Sequence, residues 1–297
     1  MNKLIINIVK LLRPDQWVKN IFIFLPLLFS FDFSNSHSLY DVFIAFIAFS
    51  FTASSIYVIN DLRDVEADRI HPKKKLRPLA SGAVGQRKAL VVIPILIILA
   101  ISLFSIIDTR AGLVALLYFV MNLAYSFRLK YIPIVDVFVI ATGFVLRLFV
   151  GAFATGCYLS QWIIIMTFLL ALLLAFGKRR DDVVIFKEKG THMRKSVVSY
   201  NVDFMNVIMT FLVGIIFIAY IMYCLSPEIE QRHGSCIYIT SIFVLLGLIR
   251  YLQLIYVFGQ GGNPTKIMLT DRFMQVTLIL WCLSFIIVVL MHKYYMR

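Results

Sequence analysis

Asn60, Asp64 and Asp68 recur at intervals of four in the stretch NDLRDVEADRIHPKKKLRPLASG (60–82), and Asp61 stands three residues before Asp64. On a helix that runs past a membrane surface, these side chains project along one face. Carboxylates crowded in this way repel one another unless a cation sits among them. An oxygen-only donor set without His or Cys suits Mg²⁺, which takes one or two carboxylates, keeps several waters and shares substrate phosphates. Lys73, Lys74, Lys75 and Arg77 follow at once, placed to meet phosphate oxygens that a metal leaves uncompensated. Acids and bases together describe a Mg²⁺–diphosphate site. The competing reading is a solvated loop in which these charges pair with one another and the lysine run marks a cytoplasmic flank. Pro72, Pro78 and Ser81-Gly82 mark a turned loop, and His71 shapes that turn.

The elements that must position these residues are membrane helices. Of 297 residues, 61% are hydrophobic and only 15% charged. Long apolar runs recur without the two-residue alternation of a membrane barrel, so the fold class is all-α and polytopic. Nine spanning segments are expected, near 18–33, 40–60, 89–107, 111–127, 133–155, 160–177, 204–224, 235–258 and 273–292. With nine crossings, most Lys and Arg fall on the side of the amino terminus. Only Arg110, Arg232, Lys293 and Arg297 fall on the other, while Arg147 and Arg250 lie inside segments. The positive-inside rule then puts the amino terminus and the loops 61–88 and 178–203 in the cytoplasm, with the chain in a bacterial-type inner membrane. Leu4, Ile5, Ile8, Leu11 and Leu12 share one helical face and predict an amphipathic helix on the membrane surface. Too short an apolar stretch and no small-residue cleavage site argue against a secretory signal there. Cys157, Cys224, Cys236 and Cys282 form no CxxC, and no HExxH is present, so neither a disulfide framework nor a zinc site is expected. The chain is expected to form one membrane domain over 1–297, with no nucleic-acid partner. Oligomeric state is not legible.

The pattern NDxxDxxxD followed by HPxKxxRPxASG resembles the UbiA superfamily of intramembrane prenyltransferases. The resemblance implies a nine-helix bundle around a central cavity, with Mg²⁺–diphosphate at its cytoplasmic mouth. It implies Asn60, Asp61, Asp64 and Asp68 as the metal-facing set, and Lys74 and Arg77 as the grip on the diphosphate. Lys73 and Lys75 fall on variable positions. The second loop departs from the common pattern. Where many members carry a second acidic DxxxD, this chain has GKRRDDV, 177–183. Adjacent acids on a helix point about 100° apart, so one of Asp181 and Asp182 at most joins a metal cluster comfortably.

RPDQWVKN (13–20), YSFRLKYIPIVDVFVIATGFVLR (125–147) and NPTKIMLTDRFMQ (263–275) resemble one branch, the decaprenyl-phosphate phosphoribosyltransferases. That resemblance covers nearly the full chain. It implies transfer of 5-phosphoribose from phosphoribosyl pyrophosphate to a polyprenyl phosphate. Such a donor and acceptor bring extra phosphates, and Lys19, Lys130, Lys178 and Arg179 are candidates to hold them. Arg147, near mid-membrane, is expected to face a ligand; its other reading is a structural tie on another helix. Asp136 lies about 16 Å away along the helix by rise, too far to pair with it. Tyr125 reads either as an interfacial tyrosine or as a phosphate hydrogen-bond donor. Arg250 is free to snorkel towards the surface.

The expected catalytic set is therefore Asp61, Asp64, Lys74 and Arg77, with Mg²⁺ as cofactor. A lipid phosphate nucleophile is already anionic and needs no general base. The alternative enzyme moves an isoprenoid from its diphosphate to an aromatic or quinone precursor. A more distant alternative is an anion transporter, which would place its charges at the midplane rather than at one face.

Overall fold

The computed structural model describes residues 2–30, 36–70, 74–189, 199–261 and 264–295, and among these the secondary structure is helical with no strand. His71, Pro72, Lys73, Asn263 and Arg297, named above, lie outside the described residues. In chain order the helices are α1 (Asn2–Leu12), α2 (Leu25–Ser30), α3 (Ser36–Arg63), α4 (Val65–Ile70), α5 (Gln86–Ile107), α6 (Thr109–Phe127), α7 (Val135–Thr155), α8 (Gln161–Lys189), α9 (Val202–Cys224), α10 (Pro227–His233), α11 (Ser241–Tyr256), α12 (Pro264–Thr270) and α13 (Arg272–Tyr295). Eight stretches among the described residues are long and apolar enough to cross a membrane: α3, α5, α6, α7, α8, α9, α13 and Ser235–Tyr256, which joins a 3-10 turn to α11.

The ninth expected span, 18–33, takes a different form. A 3-10 helix over Pro14–Phe24 runs into the short α2, and 31–35 lie outside the described residues. Eleven residues is long for a 3-10 helix. Tertiary hydrogen bonds hold it, because Trp17 Nε1 donates to Ser54 Oγ at 3.0 Å and Asn20 Nδ2 to Ser50 Oγ at 2.9 Å.

The chain divides into two compact units, Met1–Leu129 with Gly143–Leu159, and Lys130–Thr142 with Ser160–Arg297. In the first, the buried face of α3 mixes small residues, Ala45, Ala48, Ala53, Ser50, Ser54 and Ser55, with the larger Val42, Phe49, Ile56 and Val58. Lipid tails are as apolar as leucine, so close approach of backbones rather than water exclusion holds membrane helices together. Gly151 carries this furthest. A Cβ there would stand 1.9 Å from the carbonyl oxygen of Ile23, so only glycine lets α7 meet the 3-10 segment. A second cluster, with Leu11, Val58, Val65, Leu79 and Val84, seats the end of α1 on α3 and the loop after α4. Asp108 caps α6, accepting from the Arg110 backbone N at 2.6 Å. Hydrogen bonding from the Arg110 side chain holds the Asp108 carboxyl below the usual carboxylate range.

In the second unit α8 packs along α9, and α11 lies against α9 and α13. Asn201 caps α9 by accepting from Phe204 N at 2.7 Å. Asp271 caps α13, accepting from Met274 N at 2.9 Å while Arg250 Nη2 donates to its other oxygen at 2.7 Å. Arg250, expected to snorkel, is thus engaged by an acid. Position 178 was expected to begin a loop, yet α8 continues to Lys189.

Candidate active site

The acidic row is built by the end of α3. The helix breaks to a turn at Asp64, but Asp64 N still donates to Asn60 O at 3.0 Å and Asp68 N to Asp64 O at 2.8 Å. Two successive i→i+4 bonds carry the helical register across the break into α4. Asn60, Asp64 and Asp68 therefore keep the row their spacing implies.

Asp61 and Asp68 are buried, at 2% and 3% exposure, whereas Asn60 and Asp64 are half-buried. Buried carboxylates require compensation. Arg77 provides it for both, with Nη1 at 2.5 Å from Asp68 Oδ2 and 3.2 Å from Asp61 Oδ1. Lys74 Nζ lies 3.8 Å from Asp68 Oδ1. The loop returns these cations through a 3-10 turn at Lys74–Leu76 and hydrogen bonds from Arg77 N to Lys74 O and Val84 N to Pro78 O, both 2.9 Å. Gly82, at φ 76°, completes the turn. Of the expected residues, Asp61, Asp68, Lys74 and Arg77 thus come together around one shared charge cluster, with Asn60 and Asp64 on the same helical stem.

A further residue belongs to this cluster. Arg13 Nη2 donates to Asp61 Oδ1 at 2.5 Å, and its guanidinium lies 5.3 Å from the centroid of the Tyr57 ring. Forty-eight positions separate Arg13 from Asp61, so no local spacing announces the pair. The one sequence signal was an arginine directly after an amphipathic helix and before a proline.

Arg147 is placed differently from expectation. It is 4% exposed, and its three nitrogens donate to Asn20 Oδ1 at 2.8 Å, Gly143 O at 2.7 Å and Tyr118 Oη at 3.0 Å. Phe49, Tyr118 and Phe144 surround it, each ring centroid within 5.2 Å of the guanidinium carbon. This is the structural tie, made to neutral oxygens and aromatic faces. Lys19 and Tyr125 are half-buried in the same unit.

In the second unit the GKRRDDV stretch forms the last part of α8, where Lys178 is exposed and Arg179 is 3% exposed. Arg179 Nε donates to Asp136 Oδ2 at 2.6 Å and Nη1 to Asp182 Oδ2 at 2.9 Å. Asp136, too far along its own helix to meet Arg147, finds its cation here. Asp182 is engaged by that same arginine, and Asp181 is half-buried. Tyr200 Oη accepts from Ile134 N and donates to Asp136 Oδ1 at 3.4 Å. Burial raises the Tyr200 hydroxyl above its ordinary pKa. Ile134 itself sits at φ 68°, a conformation rare for a β-branched residue. Arg180 donates to Asn206 Oδ1 at 2.7 Å and Ile255 O at 3.0 Å, and Lys130 is 6% exposed with its ammonium 5.3 Å from the Tyr131 ring centroid.

The first cluster offers four oxygen-bearing side chains with no His or Cys, a hard-donor set. Among the described residues no three acidic, His or Cys side chains close on one point. An ion such as Mg²⁺ needs only one or two carboxylates when substrate phosphates complete its shell. Arg77 between Asp61 and Asp68 already demonstrates that the place accepts positive charge.

A model described as the UbiA prenyltransferase family matches residues 21–274. The chain is 32% identical to a decaprenyl-phosphate phosphoribosyltransferase of Corynebacterium glutamicum over 95% of this chain and 86% of that protein. A decaprenyl-phosphate phosphoribosyltransferase of Mycolicibacterium smegmatis is 30% identical over 94% of this chain and 91% of its own length. Among solved structures, a UbiA homologue from Archaeoglobus fulgidus bound to GPP and Mg²⁺ superposes with a TM-score of 0.72 at 21% identity, covering 95% of this chain and 99% of that one.

Proposed function

The chain belongs to the UbiA prenyltransferase family, and from that membership we propose that it transfers 5-phosphoribose from phosphoribosyl pyrophosphate to a polyprenyl phosphate. It is an integral membrane transferase, and its whole length serves as one membrane domain with the acidic row facing the cytoplasm across a bacterial inner membrane. The observation that carries the reading is Arg77 shared between buried Asp61 and Asp68 at the end of a membrane-crossing helix. The chain's 32% and 30% identity to phosphoribosyltransferases supports this choice of donor.

Asn60, Asp64 and Asp68 would hold Mg²⁺, with Asp61 at their base. When bound, the ion neutralises diphosphate oxygens and favours their departure. Arg77 and Lys74 bind the same leaving group and meet the negative charge that grows on it, an electrostatic contribution pre-set by the fold. In the transfer, an anionic oxygen of the lipid phosphate forms a bond to C1 of the ribose. The C1–O bond to pyrophosphate breaks, and its electron pair leaves with pyrophosphate. No proton has to be removed, so the histidine-poor cluster lacks nothing the step requires. In the second unit Lys178 is exposed, whereas Arg179 acts on α7 and α8 through its two aspartates.

The test is direct. Purified protein given phosphoribosyl pyrophosphate labelled in the ribose, together with polyprenyl phosphate and Mg²⁺, should yield a labelled lipid and pyrophosphate in equal amounts. Consumption of isoprenyl diphosphates alone would assign it to the other UbiA reaction class and overturn this choice of donor.

A further inference from the structure

Arg13 occupies the left-handed region, at φ 53° and ψ 61°. Any side chain pays a steric cost there that glycine escapes. A strained backbone persists where its surroundings over-determine it, and here both flanks are pinned to α3 through one residue. Ser54 Oγ donates to Leu12 O at 2.8 Å and accepts from Trp17 Nε1 at 3.0 Å. Leu11, immediately before, is fully buried. Asp61 lies seven residues beyond Ser54, two turns along the same face of α3, and that is where the Arg13 guanidinium ends.

Asp61 Oδ1 is then covered twice, by Arg13 at 2.5 Å and by Arg77 at 3.2 Å. Arg13 alone can balance the charge of Asp61, whereas Arg77 also serves Asp68. Their backbones also differ in kind. Arg77 follows a single 3-10 turn on a loop and is shared with Asp68, whereas Arg13 is fixed on both sides by Ser54.

We propose that Arg13 is a positioning residue for the transfer: it is the standing counter-ion of Asp61, and it thereby releases Arg77 from Asp61 towards the incoming diphosphate, while Lys74 stays beside Asp68. The proposal rests on the reading of this cluster as a diphosphate site. A buried carboxylate stripped of its last cation is strongly unfavourable. Without Arg13, Arg77 is held at Asp61 and its guanidinium is withheld from phosphate. Arg13 acts through Asp61 and Arg77 and touches no reacting atom.

The experiment measures Mg²⁺–pyrophosphate binding to the full chain in detergent by calorimetry, for wild type, Arg13→Gly and Arg13→Ala. Both variants lack the guanidinium, but only glycine relieves the backbone at φ 53°. The expected result is a loss of affinity of about tenfold or more, equal in the two variants, while Arg13→Gly melts at a higher temperature than Arg13→Ala. Millimolar guanidinium ion should restore part of the binding to Arg13→Gly. Wild-type affinity in both variants overturns the proposal. So does a binding defect confined to the alanine variant, because it would follow backbone stability rather than charge. In turnover, the donor KM should rise more than kcat falls; a change in kcat alone would contradict the route through Arg77. A wild-type protein that binds Mg²⁺–pyrophosphate but consumes no phosphoribosyl pyrophosphate would refute the donor assignment and leave Arg13 standing. A wild-type protein that binds no Mg²⁺–pyrophosphate would refute both.

Discussion

Arg147 Nε donates to Asn20 Oδ1 at 2.8 Å, across 127 positions of sequence, and Asn20 Nδ2 passes the connection to Ser50 Oγ at 2.9 Å. One arginine on α7 thereby ties the 3-10 segment to α3, and through Tyr118 Oη at 3.0 Å it also ties α6. Its partners are neutral, so its charge is stabilised by oriented dipoles and aromatic faces.

Replacing Arg147 with methionine keeps much of the volume and removes three donors. Stability should fall by about 2–4 kcal/mol, since hydrogen bonds to a charged group are worth more than neutral ones. Thermal melting in detergent measures this. A variant that melts like wild type yet binds the donor poorly would return Arg147 to the ligand-facing role.

Asp64 is half-buried, whereas Asp61 is 2% exposed and serves two arginines. Asp64→Ala should therefore cut turnover at least about a hundredfold with little change in melting temperature. Asp61→Ala should lower both. Pyrophosphate release and melting curves on the same preparations separate the two outcomes. Excess EDTA should abolish turnover in the wild type, with recovery on adding Mg²⁺.

Ile134 at φ 68° is held by Tyr200, whose hydroxyl accepts the Ile134 amide. Ile134→Gly should stabilise the protein by about 1 kcal/mol by removing the left-handed cost. Tyr200→Phe should destabilise it, because it strips partners from both the amide and Asp136. The double variant should regain part of the loss, and a melting-temperature cycle reads the coupling. Strict additivity would show that Tyr200 does not restrain the turn.

Hydrogen bonding from Arg250 depresses the Asp271 carboxyl below its ordinary range. A group whose folded pKa is lowered stabilises above its unfolded value, about 3.9, and loses that contribution as pH falls through the folded value. The melting-temperature gap between wild type and Asp271→Asn should thus be full above about pH 5 and close on further acidification. A gap that widened in acid would reverse the sign.

Periodicity made the acidic row legible, because Asn60, Asp64 and Asp68 keep their i→i+4 register through a helix break. What lies between remote segments was not legible. Arg13 and Asp61 meet only because Ser54 folds the amino-terminal stretch onto α3, and no local spacing carries that information. Arg147 was expected to seek a ligand because no acid lies within reach on its own helix. Its partners are an amide, a hydroxyl and a carbonyl, residue types that hydropathy and charge patterns pass over. Likewise, apolarity alone cannot distinguish an α-helix from the 3-10 segment at Pro14–Phe24, which polar contacts to Ser50 and Ser54 decide. The continuation of α8 to Lys189 has a local cause: Arg179 and Asp182 pair at i, i+3, and the first glycine after Gly177 is Gly190.

The bare backbone of Gly151 has a reach out of proportion to its size. The Ile23 carbonyl it admits lies three residues past Asn20 on the segment that begins just after Arg13. A single methyl group inserted there would wedge that segment outward, pulling Asn20 from Arg147 and slackening the path that leads back to Asp61. The charge cluster around Asp61 thus inherits its alignment from a backbone-to-backbone contact that leaves no room for a side chain.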